Sequence, residues 1–240
     1  STTLQRVQTL SIGSSSSAAW QATQPNVALS LSADGLLLTV GAPRQSTGSG
    51  RAGTAYVYAC GAAATAGCDA AGATQLLPET GGFGQAIAAG AATADGLPAV
   101  VAVGAPETSP SGEVYVFELE DGGWRQVERL SPGGTAKDRY FGSAVALSGH
   151  LLAVGARLWS ASVFQQGAVL LYERVGVAWS RVRGDLVASQ PSFSANLGFS
   201  LVLSSQYIVA GSPDGTGEGT GSLVAFGAMD VVPPAVESVA

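Results

Sequence analysis

The chain has 240 residues, of which 46 % are apolar and only 12 % charged. That length suffices for one large β domain or two small domains, and no run of ~18 apolar residues is present to span a membrane. The balance is acidic, with 11 basic and 17 acidic residues, and the arginines form no stripe, which argues against a nucleic-acid-binding footprint.

Charge is about half the ~25 % usual in globular domains, so Ser, Thr, Gln and Gly carry much of the solubility. The 33 glycines and 11 prolines fit tight turns between short strands. No signal peptide is recognisable at the start. The chain is therefore expected to be a mature piece or to follow such a segment upstream.

In chain order, Leu4 to Leu10 reads as a strand with one apolar face, and the Ser- and Ala-rich residues 11–24 read as a loop. The first unit spans about 25–78. It opens at Pro25-Asn26, turns at Ala33-Asp34-Gly35, and runs into Gly41-Ala42-Pro43. A strand from Gly53 to Tyr58 follows. Cys60 and Cys68 then flank seven small residues, a spacing that suits a disulfide at the base of a hairpin loop in an oxidising compartment. A zinc site would need four ligands, and the chain has two cysteines and one histidine. Gln75 to Leu77 reads as a short outer strand.

The second unit, 83–130, opens with Phe83-Gly84, reaches Gly104-Ala105-Pro106 and continues with Gly112 to Phe117. Its outer strand is Trp124 to Leu130, which alternates apolar and polar residues. The third unit, 141–187, opens with Phe141-Gly142, turns at Gly149-His150 and reaches Gly155-Ala156-Arg157. Gly167 to Tyr172 and Trp179 to Leu186 complete it. The fourth, 197–226, opens with Leu197-Gly198, reaches Gly211-Ser212-Pro213 and ends with Gly221 to Phe226.

In all four units, large residues stand three and five positions after the glycine that opens the third strand. They share one strand face, which must be buried. A repeat of roughly 50 to 60 residues signals a propeller, solenoid or array. The fourth unit lacks an evident outer strand. Leu4 to Leu10 matches the Trp124 strand in residue type, so it either pairs with the last unit and closes a ring or is the outer strand of a preceding unit. Residues 231–240, with Pro233-Pro234, read as a linker to a following domain.

These units resemble FG-GAP repeats, the β-propeller repeat also found in integrin α-subunit heads. Trp124, Asp138, Phe141-Gly142, Ser148-Gly149-His150, the Ala153 to Ala156 segment and Gly167 to Tyr172 follow the order of that repeat. The resemblance covers about residues 25–226. It implies an all-β propeller of four-stranded antiparallel blades, with four repeats visible where family propellers usually have about seven. The family often carries an acidic calcium loop after Gly-Ala-Pro. Here only Asp214 and Glu218 keep two acids at a plausible spacing. They mark either a solvated turn or a weak calcium site, since calcium takes six to eight oxygens. No other cofactor is expected.

No catalytic constellation is recognisable. His150 sits in a hairpin turn, and no serine occupies a nucleophile elbow. The glycine-rich stretch from Gly215 to Gly221 lacks the lysine and helix of a phosphate loop. Glu107, Glu113, Glu118, Glu120, Asp121 and Glu128 read as solvating surface charges. Arg183-Gly184-Asp185 spells a tripeptide recognised by integrins, but three residues match often by chance. Ser14 to Ser17 and the Pro-bearing tail are candidates for O-linked sugar.

The expectation is a non-catalytic module, extracellular or on the cell surface. It would serve protein binding, adhesion or scaffolding, with protein partners or self-assembly, no nucleic acid and no direct membrane insertion. The alternatives are a building block of a surface filament or wall, and an accessory propeller of a larger secreted enzyme. Loops held by a rigid scaffold concentrate function. The candidate contact residues are therefore the loop side chains Trp20, Arg44, Arg51, Arg157, Trp159 and Phe164, with packing under the propeller rim as the alternative for Trp159.

Overall fold

A computed structural model of the chain describes residues 27–45, 53–62, 67–69, 71–77, 82–94, 96–133, 139–182, 184–215 and 220–227. The described residues form strands and no helix. β1 (Ala28–Leu31), β2 (Leu37–Ala42), β3 (Thr54–Ala59) and β4 (Thr74–Leu76) make the first antiparallel sheet. β5 (Ala86–Gly90), β6 (Val100–Ala105), β7 (Glu113–Glu120) and β8 (Gly123–Leu130) make the second. β9 (Phe141–Ser148), β10 (Leu151–Ala156), β11 (Ala168–Val175) and β12 (Ala178–Arg181) make the third. β13 (Ser200–Leu203), β14 (Tyr207–Ser212) and β15 (Ser222–Gly227) make the fourth.

Each sheet is a meander in which sequential strands pair, and each sheet lies face to face on the next. These are the blades of a β-propeller. Between blades, the first strand of the incoming blade does most of the packing: β5 lies against β1 and β2, β9 against β5 and β6, and β13 against β9 and β10. Period-two alternation sends successive side chains to opposite neighbours. On β11, Leu170 and Tyr172 face the second blade, while Val169 and Leu171 face the fourth. Blades covered on both sides therefore read as nearly continuous apolar runs, and all of β6 is buried.

The expected burial three and five positions after the glycine is observed. Tyr115, Phe117, Leu170, Tyr172, Phe226 and Tyr58 are all buried, and Val224 and Tyr56 are half-buried. Each such burial contributes roughly 1.5–3 kcal/mol. The Gly149-His150 hairpin also forms, with Gly149 at φ +56°.

Two readings change. The outer strand expected from Trp179 to Leu186 ends at Arg181, because Gly184 turns the chain at φ +60°. The Val182 amide still donates to the Leu171 carbonyl at 2.9 Å, and pairing resumes at Leu186, which bridges Val169. The acids of blade two are also not all solvating. Glu118 is 3 % exposed and meets Arg174 of β11 at 2.8 Å. Glu113 accepts from Arg129 at 2.5 Å and from the Tyr115 hydroxyl at 2.8 Å. A buried carboxylate needs such partners, and the sequence around it does not display them. The Leu4–Leu10 strand and the 231–240 linker lie outside the described residues.

Candidate functional site

The loop that follows β10 is organised from within. The amide of Trp159 donates to the Ala156 carbonyl at 2.9 Å, and the amide of Gly167 donates to the Trp159 carbonyl at 3.0 Å. Gln166 is buried, and its Oε1 accepts from the amides of Ser162 and Val163 at 3.1 and 2.8 Å and from the Ser162 hydroxyl at 2.9 Å. One side-chain amide thus holds the loop tip.

A second loop, leading into β13, pairs with the first. Ser194 donates its amide to the Phe164 carbonyl, Asn196 to Gln165 and Leu197 to Gln166, at 3.0 to 3.1 Å. This pairing sets Phe164 beside Phe193. Their rings stack at 5.2 Å and 30°. They are 54 % and 64 % exposed, so the stack is offered to solvent on a hydrogen-bonded platform.

Nearby, the Arg157 guanidinium lies over the Tyr140 ring at 4.2 Å and the Phe199 ring at 5.7 Å, a cation–π arrangement. Phe199 is 52 % exposed. The Tyr140 hydroxyl donates to Glu107 Oε1 at 3.2 Å, which ties this cluster to the loop after β6. Burial first, then the Glu107 charge and hydrogen bond, push the Tyr140 phenol above its ordinary pKa. Three exposed aromatics with an arginine make a surface of the composition that dominates binding energy at protein interfaces.

The structure divides the sequence candidates. Arg157 and Phe164 fall in this surface. Trp159 does not: it is 7 % exposed, packs in the core between blades two and three, and lies under the Arg139 guanidinium at 3.7 Å. Its apolar loop reflects a core contact. Arg44 is exposed, but in the turn of blade one, two blades away from the cluster. Trp20, Arg51 and Glu218 lie outside the described residues. Asp214 sits half-buried in the turn after β14. Among the described residues no group of three or more His, Cys, Asp and Glu side chains gathers to hold a metal.

His150 stands at the opposite end of blade three from this surface, 3.5 Å from Glu173, with both side chains well exposed. Cys60 and Cys68 form a disulfide with their Cα atoms 3.9 Å apart. Phe193, Phe199 and Tyr140 escaped the sequence reading. Phe199 had a signal: it follows Leu197-Gly198 where the other units have Gln85 and Ser143.

No curated protein matches the chain. Residues 124–172 match the family model of the FG-GAP repeat. The matched stretch begins on β8 of blade two and ends on β11 of blade three, so the sequence repeat straddles a joint between blades. The chain thus carries an FG-GAP repeat at the joint of blades two and three, within a β-propeller fold of antiparallel blades.

Proposed function

We propose that this propeller is a non-catalytic binding module, extracellular or on the cell surface, that holds a protein partner on the Arg157–Phe164–Phe193–Phe199 surface. The observation that carries this reading is the exposed Phe164–Phe193 stack on a loop pair fixed by backbone hydrogen bonds. Folding gains little from two rings left half in water, whereas a partner would gain their burial. FG-GAP repeats and an internal disulfide are typical of extracellular proteins, and disulfides persist in oxidising compartments.

The test uses the intact chain as bait against cell-surface and secreted proteins, beside a Phe164→Ser/Phe193→Ser variant. A captured partner should lose about 2 kcal/mol or more of affinity for the variant, while the thermal midpoint stays unchanged. A partner set held equally by both proteins would refute the assignment.

A structural building block of a surface assembly is the second reading. The outward faces of the first and last blades favour it, since Leu29, Leu31, Val202 and Leu223 are 59 to 76 % exposed. Concentration-dependent assembly of the pure chain would bring this reading forward.

A further inference from the structure

Four blades built to one pattern show which residues the fold itself asks for. The second strand of each blade ends at Gly-Ala or Gly-Ser. Pro43, Pro106 and Pro213 follow it in blades one, two and four, but Arg157 follows it in blade three. The residue after the entry glycine is Gln85 in blade two and Ser143 in blade three, but Phe199 in blade four. Ser143 serves its own blade, since its hydroxyl donates to the Gly155 carbonyl at 3.1 Å. The Phe199 ring instead meets Arg157, 5.7 Å from its guanidinium, and stays 52 % exposed. The two departures from the repeat thus meet each other across the joint of blades three and four. The connections that carry them also carry Phe164 and Phe193, whose rings stack.

Arg157 is half-buried, and its guanidinium lies over the Tyr140 ring at 4.2 Å. Contact with rings occupies the face of a guanidinium and leaves its N–H groups, which lie in its plane, for hydrogen bonds. One edge is engaged with the Tyr140 hydroxyl. That hydroxyl in turn donates to Glu107 Oε1 at 3.2 Å, so the carboxylate of the cluster is held by Tyr140 rather than by Arg157. What remains is a planar fork of donors, its orientation set by rings and bordered by exposed rings. A fork of this kind matches a carboxylate bidentately. The proline of the other three blades offers neither the charge nor a donor.

We propose that this surface takes a linear segment of the protein partner in which an Asp or Glu is flanked by aromatic or aliphatic side chains. The proposal rests on the reading of the Phe164–Phe193 stack as a binding face and adds the chemistry of what it binds. The Arg157 guanidinium takes the carboxylate, and the exposed rings of Phe164, Phe193 and Phe199 take the flanking side chains. Charge confines the segment to this place. The chain has a net charge of −6, so an acidic segment is repelled over most of its surface and held where Arg157 stands. A basic segment has the opposite preference and meets a like charge here.

The probe is a random dodecapeptide library displayed on phage and panned on the intact chain, with the Phe164→Ser/Phe193→Ser variant for counter-selection. Enriched peptides should carry Asp or Glu beside apolar residues and should bind more weakly as salt rises. Their affinity should fall about tenfold or more on Arg157→Gln, the loss of a charged hydrogen-bonded pair. Replacing the peptide's acid by its amide should cost as much on the unaltered chain, a test that leaves the fold untouched. Arg157→Lys keeps the charge without the fork and should restore only part of the binding. Enriched peptides without an acid, equal binding by Arg157→Gln, or no enrichment over the double serine variant would overturn the proposal. Heparin bound at Arg157 in place of any peptide would also overturn it, by making a polyanionic sugar the occupant. Peptides that need Phe164 and Phe193 but not Arg157 would overturn this proposal and leave the binding face standing. Peptides indifferent to all three would overturn both.

Discussion

The carbonyl oxygen of Gly142 lies where a side chain on Gly104 would begin. This contact between two glycines in different sheets brings β9 onto β6 and lets Phe141 sink between blades. Phe141 is 0 % exposed and meets Tyr172 edge to face, with ring centroids 6.1 Å apart. Phe141→Ala should lower stability by about 3–5 kcal/mol, the cost of an aromatic cavity in a core. Denaturant titration should show a lower midpoint at unchanged slope. A cost below about 1 kcal/mol would mean that the joint is not a core element.

Arg174 and Glu118 join the same two blades from the opposite ends of their strands, at 2.8 Å, with side chains 6 % and 3 % exposed. Arg174 Nε and Nη1 and Glu118 Oε1 have no hydrogen-bond partner among the described residues, so the pair is incompletely compensated. Glu118→Leu alone strands a buried guanidinium and should cost about 3–5 kcal/mol. Adding Arg174→Met should restore most of that loss, because apolar replacement of a buried ion pair is often neutral. A double-mutant cycle on thermal midpoints checks both numbers. If the double variant is as unstable as the single, the pair stabilises the joint outright.

Stability should fall at alkaline pH. Burial pushes the Tyr172 phenol up to about 12, with smaller and opposing influences from Arg181 and Asp185. Its hydroxyl donates to the Ser131 carbonyl at 3.3 Å. Below the unfolded value of about 10, both states keep the proton and the contribution is complete. Above it the unfolded phenol ionises first, so stability is lost as pH rises through about 12. The maximum loss from this residue is about 2.7 kcal/mol. Tyr172→Phe should flatten the pH dependence of stability between about 10 and 12. Tyr58 and Tyr140 are shifted in the same direction, so part of the slope should remain.

The Cys60–Cys68 bridge closes a short loop at the end of β3. Loop-closure entropy assigns it about 2.5 kcal/mol. Reduction should lower the thermal midpoint without disturbing blades three and four. Native-state hydrogen exchange should show the loss of protection confined to the first blade. Loss spread evenly over all four blades would contradict that local role.

The four repeats were legible because each strand obeys period-two alternation and each blade ends its second strand at Gly-Ala-Pro or a near copy. Phe83-Gly84 precedes β5, Trp124 lies on β8 and Gly155 on β10. What joins blades was not legible. Gly104 meets Gly142, and Glu118 meets Arg174, across sheets that no local pattern connects. Glu118 therefore read as a surface charge although it is buried, and Trp159 read either as a loop contact or as packed under the propeller rim, of which the second is observed. The Phe164–Phe193 stack escaped for the same reason. Phe164 stood out as an aromatic in a loop, but its partner comes from the next connection along the chain.

The most direct measurement is calorimetric unfolding of Gly104→Ala and Gly211→Ala in parallel. The two glycines hold the same position in their blades, and among the described residues only Gly104 faces the backbone of a following blade. Gly104→Ala should lose about 3 kcal/mol or more, as overpacking against a backbone carbonyl requires. Gly211→Ala should stay within about 0.5 kcal/mol of the parent, because only the movable Ser200 side chain must give way. Equal losses in both variants would mean that the Gly142 carbonyl is not what makes Gly104 intolerant of a side chain. Equal tolerance would contradict the glycine-to-glycine joint itself.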